Sequence, residues 1–105
     1  MHFNFKEKKI LVLGAGISGI SVACTLQKHG AKVTLSDSKT AESLKNKDFS
    51  ALHECGVILA LGPQEEGLLL GVDCIVISPG ISIEIPLIKM AKSRNIKVMS
   101  EIEVA

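Results

Sequence analysis

The chain has 105 residues, of which 47% are apolar, and a formal net charge of +1. This composition excludes a disordered chain, and the small charge, with three Phe and no Trp or Tyr, argues against a nucleic-acid partner. The length suits one domain, and no apolar run is long enough for a signal peptide or a membrane span, so we expect a cytoplasmic protein without a membrane partner.

The stretch KILVLGAGISGISVAC, residues 9–24, predicts a strand, a glycine turn and a helix in that order. Residues 10–13 form a continuous apolar run, which is typical of a strand buried on both faces of a parallel sheet. A buried helix is the alternative, but Gly14 ends the run after too few residues for one. The apolar stripe that follows the glycines predicts an amphipathic helix.

Each glycine of the turn has a physical role in this arrangement. Gly14 permits a tight turn, Gly16 lets a bound phosphate approach the backbone, and Gly19 lets the helix pack closely on the strand. The free N–H groups at the helix start, around Ile17 and Ser18, are placed to bind an anion, which the helix dipole also favours. The stretch therefore predicts a site for a phosphate-bearing ligand.

A second strand is predicted over residues 32–36, and it ends at Asp37. Asp37 lies 18 residues after Gly19, close to the roughly 20-residue offset at which dinucleotide-binding folds place an acid against a ribose. The alternative is that Asp37 is a turn residue or a helix N-cap, a role for which the segment Asp37-Ser38-Lys39-Thr40 is well suited.

A further loop, Ser78-Pro79-Gly80, follows the predicted fourth strand. In an open parallel sheet this loop emerges at the same edge as Gly14 and Asp37, where ligands bind. The alternative is a plain connection between a strand and a helix.

The remaining elements continue the alternation of strands and helices. They are one or two short surface helices in residues 41–55, a strand over 57–61, one or two helical turns in 64–71, a strand over 74–77, a helix that begins at Pro86 and stops at Asn95, and a strand over 96–99. The pattern predicts an α/β fold, a Rossmann-like open parallel sheet of about five strands with helices on both faces and a switch in strand order between the first and fourth strands.

The three cysteines fit no zinc or redox pattern. Cys24, Cys55 and Cys74 are widely spaced, and we interpret them as small buried apolar residues in a reducing compartment. His53 is interpreted as a surface residue. The sequence thus predicts no metal site and no catalytic residue.

Four segments together resemble one protein family. VLGAGISGIS, the strand-end pair Asp37-Ser38, the loop VISPGI and the closing segment IKVMSEIE resemble the N-terminal domain of the Mur ligases of bacterial cell-wall synthesis. The GAGISG form is most similar to the ligases that add D-glutamate to UDP-N-acetylmuramoyl-L-alanine. The resemblance covers nearly the whole chain.

The resemblance implies that the domain, residues 1–105, binds the UDP part of that substrate as one of the three domains of a peptidoglycan-synthesis ligase. Gly16, Ile17 and Ser18 would contact the phosphates, and Asp37 and Ser38 the uridine end. The implied site comprises Gly14, Gly16, Ile17, Ser18, Gly19, Asp37, Ser38, Ser78, Pro79 and Gly80.

In this family the complete enzyme uses ATP and magnesium to form an acyl phosphate, which D-glutamate then attacks. No G-x-x-x-x-G-K-[ST] loop is present, because Ser38-Lys39-Thr40 lacks the glycines that wrap a nucleotide triphosphate. We therefore expect an inactive monomeric fragment with no cofactor of its own. The ATP and D-glutamate sites would belong to other domains.

Two alternatives remain open from the residues. The first is the dinucleotide-binding part of an NAD-dependent oxidoreductase, which shares the glycines and Asp37. Against it, such a domain usually has a sixth strand, and the pattern predicts five. The second is a free-standing nucleotide-sensing module.

Overall fold

The structure, a computed structural model, describes residues 5–100. The end of the closing segment, from Glu101 onward, lies outside the described residues. The elements in chain order are β1 (Lys9–Leu13), α1 (Ile17–Lys28), β2 (Lys32–Asp37), α2 (Ser50–Cys55), β3 (Ile58–Leu61), a 3-10 helix (Glu66–Leu69), β4 (Cys74–Ile77), α3 (Pro86–Ser93) and β5 (Lys97–Ser100).

The strands form one parallel sheet in the order β3-β2-β1-β4-β5. β1 lies at its centre, paired with β2 on one side and β4 on the other. This order confirms the predicted five-stranded fold and the predicted switch between the first and fourth strands. A crevice opens at such a switch, beyond the carboxyl ends of the strands.

Side chains of the central strand alternate between two apolar layers. Ile10 and Val12 are buried in the layer that α1 and α2 cover, and Leu11 and Leu13 in the layer that α3 and the 3-10 helix cover. Because both faces of β1 are buried, its sequence is apolar throughout. The helices thus lie on both faces of the sheet, as predicted.

Most predicted elements are present, with ends shifted by one or two residues. Of the one or two short helices predicted in residues 41–55, the structure has one, α2, while residues 41–47 form turns. The Ser50 N–H at the start of α2 donates to the Asp48 carboxylate at 2.9 Å. Asn95 ends α3 as predicted, with a φ of 61°. Within residues 5–100, no helix is both long and apolar enough to cross a bilayer.

Candidate functional site

A cavity of about 490 Å³ opens at the carboxyl ends of β1, β2 and β4. All the site residues predicted from the sequence line it, except Ser38, which is exposed next to it. The lining residues are Gly14, Ala15, Gly16, Ile17, Ser18, Gly19, Asp37, Lys47, Ser78, Pro79, Gly80 and Ile81. The topology therefore brings four separate segments of the sequence, residues 14–19, Asp37, Lys47 and residues 78–81, into one site.

The turn after β1 depends on two glycines. Gly14 has a φ of +105°, which L side chains rarely adopt, and its N–H donates to the Ser36 carbonyl at 2.8 Å. A Cβ atom on Gly19 would lie 2.0 Å from the Gly14 carbonyl oxygen, so α1 packs directly on the backbone of the turn. These positions agree with the predicted roles of both glycines.

The start of α1 presents backbone N–H donors to the cavity. Gly16 is the N-cap, and no side chain of the described residues caps the helix or places an acid in its first turn. A Cβ on Gly16 would have no atom within 4 Å, so the backbone here is open to an incoming group. Ile17 is 86% exposed at the same end of the helix. Because the first N–H groups of a helix lack partners within it, this end can bind an anion.

The Asp37 carboxylate fastens the glycine turn to the end of β2. Its Oδ2 accepts a hydrogen bond from the Ala15 N–H at 2.9 Å, and its Oδ1 accepts one from the Lys39 N–H at 2.9 Å. Each carboxylate oxygen can accept a second hydrogen bond, so the half-buried side chain still offers acceptors to the cavity. The structural and the ligand-binding interpretations of Asp37 are therefore compatible.

The loop after β4 forms the opposite wall. Ser78 is 7% exposed, and its hydroxyl donates to the Gly14 carbonyl at 3.4 Å, so that it joins two loops. The Ile81 N–H donates to the Ser78 carbonyl at 3.2 Å, with Pro79 and Gly80 between them and a φ of +90° at Gly80. This is a type II turn, which favours proline and glycine at those two positions. Pro79 and Gly80 are the exposed members of the loop.

Sequence reasoning missed three residues of the cavity. Ala15 contributes the backbone N–H that Asp37 holds, and Ile81 adds an apolar side chain to the wall. Lys47 is half-buried and is the only cation among the lining residues. Within residues 5–100 the Lys47 side chain has no ion pair. Lys47 lies in a lysine-rich segment that gives no sign of a site, whereas Ala15 could have been inferred from its place between two glycines of the turn.

No group of three or more metal-ligating side chains is found within the described range. The lining residues contribute backbone amides, the hydroxyl groups of Ser18 and Ser78, one carboxylate and one ammonium group. Such a set can bind a phosphate-bearing polar ligand, and among the lining residues it contains no nucleophile paired with a base.

Comparison with known proteins gives two kinds of match. Residues 8–100 match the family model described as "Mur ligase MurD-like, N-terminal domain". The chain is 38% identical over 103 residues to the UDP-N-acetylmuramoylalanine--D-glutamate ligase of Alkaliphilus oremlandii, covering 97% of this chain and 23% of the relative. It is 41% identical over 102 residues to the ligase of the same name from Koribacter versatilis, covering 97% and 22%. The chain thus spans under a quarter of these relatives' length.

A solved structure also matches, the murein peptide ligase of Psychrobacter arcticus. Its TM-score is 0.70 at 21% identity, with 87% of this chain and 18% of that chain covered. At this identity the likeness shows the fold alone. The family match and the two relatives extend over almost the whole chain, and the family match includes all four segments of the cavity. The chain therefore belongs to the MurD-like N-terminal domains of the Mur ligases.

Proposed function

We propose that this domain binds the UDP part of UDP-N-acetylmuramoyl-L-alanine for a ligase that adds D-glutamate in peptidoglycan synthesis. The observation that carries the proposal is the uncapped start of α1, which faces the cavity beside the open backbone of Gly16. Relatives at 38% and 41% identity bear the name of that ligase. A substrate with a diphosphate suits a site made of free amides.

The charges of the cavity favour one orientation of the ligand. The phosphates lie at Gly16, Ile17 and Ser18, where the helix dipole is positive. The Asp37 carboxylate repels a phosphate, so the uridine end lies on the side of the cavity where Asp37 is, with Ser38 at the rim. Ser78, Pro79 and Gly80 form the facing wall.

Lys47 adds the positive charge that the amides alone lack. It lines the same cavity and has no ion pair in the described part of the chain. A mobile ammonium group suits a diphosphate as a point charge, without the fixed geometry of a guanidinium group. We assign it to the phosphates.

The ligation itself requires parts of the enzyme beyond these 105 residues. The chain spans 22–23% of the relatives, and the lining residues offer no phosphate loop for ATP. We therefore propose that ATP, magnesium and D-glutamate are bound by further domains of a cytoplasmic ligase. This domain holds the substrate by its nucleotide and acts as a monomer.

A titration followed by amide chemical shifts tests the proposal. UDP, UDP-N-acetylmuramoyl-L-alanine and NAD are each added to the chain. We expect both uridine compounds to shift the amides of Gly14, Ala15, Gly16, Ile17 and Ser18 at lower concentrations than NAD does. Tighter binding of NAD at the same amides would contradict the proposal and favour a dinucleotide-binding domain.

A pair of glycine variants locates the phosphate. Gly16→Val keeps an allowed backbone conformation, with φ at −77°, but fills the space in front of the turn, so it should fold and lose uridine binding. Gly67→Val makes the same change at an open glycine of the 3-10 helix, outside the cavity, and should bind normally. If Gly16→Val binds as well as Gly67→Val, the phosphates lie elsewhere.

A further inference from the structure

Two cysteines that are distant in the sequence lie next to each other in the layer formed by α1 and α2. Cys24 is on α1, and Cys55 is the last residue of α2. The Cys24 thiol donates to the carbonyl of Ala51 at 3.4 Å. In an α-helix that carbonyl accepts the N–H of the residue four positions later, which is Cys55. The Cys24 sulfur therefore lies against the turn of α2 that ends in Cys55.

The two side chains also share a cavity. Both line a groove of about 420 Å³ between the helices, separate from the site at the glycine turn except for Ile17, which borders both. Both cysteines are free and half-buried, whereas Cys74 is completely buried in β4. The interpretation of all three as buried apolar residues thus holds only for Cys74.

The surroundings of Cys24 keep it as a neutral thiol. Burial, and after it a hydrogen bond with the Cys55 side chain, raise the pKa of Cys24 to about 11. Lys28 acts in the opposite direction but is outweighed. Since the thiolate is the nucleophile in disulfide exchange, Cys24 reacts slowly on its own with an external reagent at neutral pH.

We propose that Cys24 and Cys55 are a redox-sensitive modification site, which forms a reversible disulfide between α1 and α2 when the protein meets a low-molecular-weight disulfide. Cys55 reacts first: it gives its proton to solvent, its sulfur attacks one sulfur of the reagent, and the thiolate that leaves takes up a proton from solvent. The Cys24 sulfur then attacks the Cys55 sulfur of the mixed disulfide, and its proton passes to the second thiolate as it leaves. Two protein thiols are oxidised, and one reagent disulfide is reduced to two thiols.

The bond would act on the segment that leads to α2. Residues 38–49 connect β2 to α2, and they carry Lys47 of the first cavity. A covalent link between α2 and α1 fixes the far end of this segment relative to the glycine turn. Disulfides in reducing compartments are usually transient and regulatory, which fits two half-buried thiols.

Oxidation of the purified chain with glutathione disulfide tests the proposal. Remaining thiols are alkylated, and the protein is digested with trypsin and a glutamyl endopeptidase. Cleavage after Glu54 and Glu65 releases Cys55 in a peptide separate from that of Cys74, so that each cysteine falls in its own peptide. We expect a cross-linked pair of peptides containing residues 10–28 and 55–65. Before alkylation, the oxidised monomer should have a mass lower than that of the reduced chain by two hydrogen atoms.

Three variants serve as controls. Cys74→Ala should form the same cross-link, because Cys74 takes no part. In Cys55→Ser, Cys24 should react with glutathione disulfide at least about tenfold more slowly than it is consumed in the unaltered chain. In Cys24→Ser, Cys55 should stop at the mixed disulfide. Three results in the unaltered chain would each overturn the proposal: glutathione adducts on both cysteines without a cross-link, disulfide-linked dimers alone, or no oxidation. Because all three are measured on the unaltered chain, they do not depend on the folding of any variant.

Discussion

Gly19→Ala is the sharpest test of how the glycine turn is built. The added Cβ would lie 2.0 Å from the Gly14 carbonyl oxygen and 2.7 Å from the Ser78 hydroxyl. An ordinary contact begins near 3.4 Å, so α1 would have to move away from the turn by about 1.4 Å, the difference between 3.4 and 2.0 Å. The nearest atom belongs to the backbone and cannot rotate away. The substitution should therefore strain the packing of α1 on β1.

The cost can be estimated from two opposing terms. Overpacking of this kind costs about 3 kcal/mol, and alanine in place of glycine in a helix returns about 1 kcal/mol. The free energy of unfolding should fall by about 2 kcal/mol, which for a domain of this size lowers Tm by roughly 10 °C. Urea unfolding followed by circular dichroism, with Tm measured in parallel, checks both values.

Gly16→Ala is the matched control, three positions earlier in the same motif. Its Cβ would have no neighbour within 4 Å, and its φ of −77° suits any residue. We expect its stability to lie within about 1 kcal/mol of the unaltered protein, since the loss of an N-cap glycine and the reduced entropy of the unfolded chain oppose each other. Equal stability of Gly19→Ala and Gly16→Ala would refute the close-packing argument.

Three further predictions concern the charged and thiol groups. Asp37→Asn places an amide NH₂ against the N–H of Ala15 or of Lys39, so unfolding measurements should show a loss of about 1–3 kcal/mol even without ligand; an unchanged stability would contradict the bridging role. Lys47→Met should leave stability unchanged and raise the Kd for UDP by roughly fivefold, about 1 kcal/mol, with a weaker dependence on salt in the titration; an unchanged Kd would remove Lys47 from the phosphate site. The pKa of Cys24 is raised from 9.0 to about 11 on folding, so its contribution to stability is fully present below pH 9.0 and is lost as the pH rises towards 11. Urea unfolding in a reducing buffer should show this decline in the free energy of unfolding, and the decline should be smaller in Cys24→Ser.

The arrangement of the sheet could be predicted because its signals are local and strong. The apolar run of β1, the glycines that end it and the β-branched residues of β2 each specify an element within a few residues. The order of strands then follows from the right-handed crossover rule and the switch that open α/β sheets share. The region 41–49 was harder, because its few apolar residues suit a short helix and a set of turns about equally well, and the structure has turns there.

The parts of the candidate site that depend on local backbone conformation were predicted from the sequence. The parts that depend on how distant segments pack together were missed. Gly14 and Gly19 are visible in the sequence because no other residue meets their geometry. Lys47 reaches the cavity only through the path of the loop after β2, which no periodic pattern specifies. The proximity of Cys24 and Cys55 likewise arises from the packing of α1 on α2, and a spacing of 31 residues gives no hint of it.

The polar side chains of Asp37 and Ser78 shape the site by holding its loops together. Both oxygens of Asp37 already hold N–H groups, and the Ser78 hydroxyl is bound to the Gly14 carbonyl. These contacts fix the glycine turn from two sides, so the amides at the start of α1 keep one orientation before any ligand arrives. A preorganised set of donors loses little entropy when it binds a phosphate. Substitutions at Asp37 and Ser78 should therefore weaken binding largely by loosening the turn, whereas those at Gly16 and Lys47 act on the ligand directly.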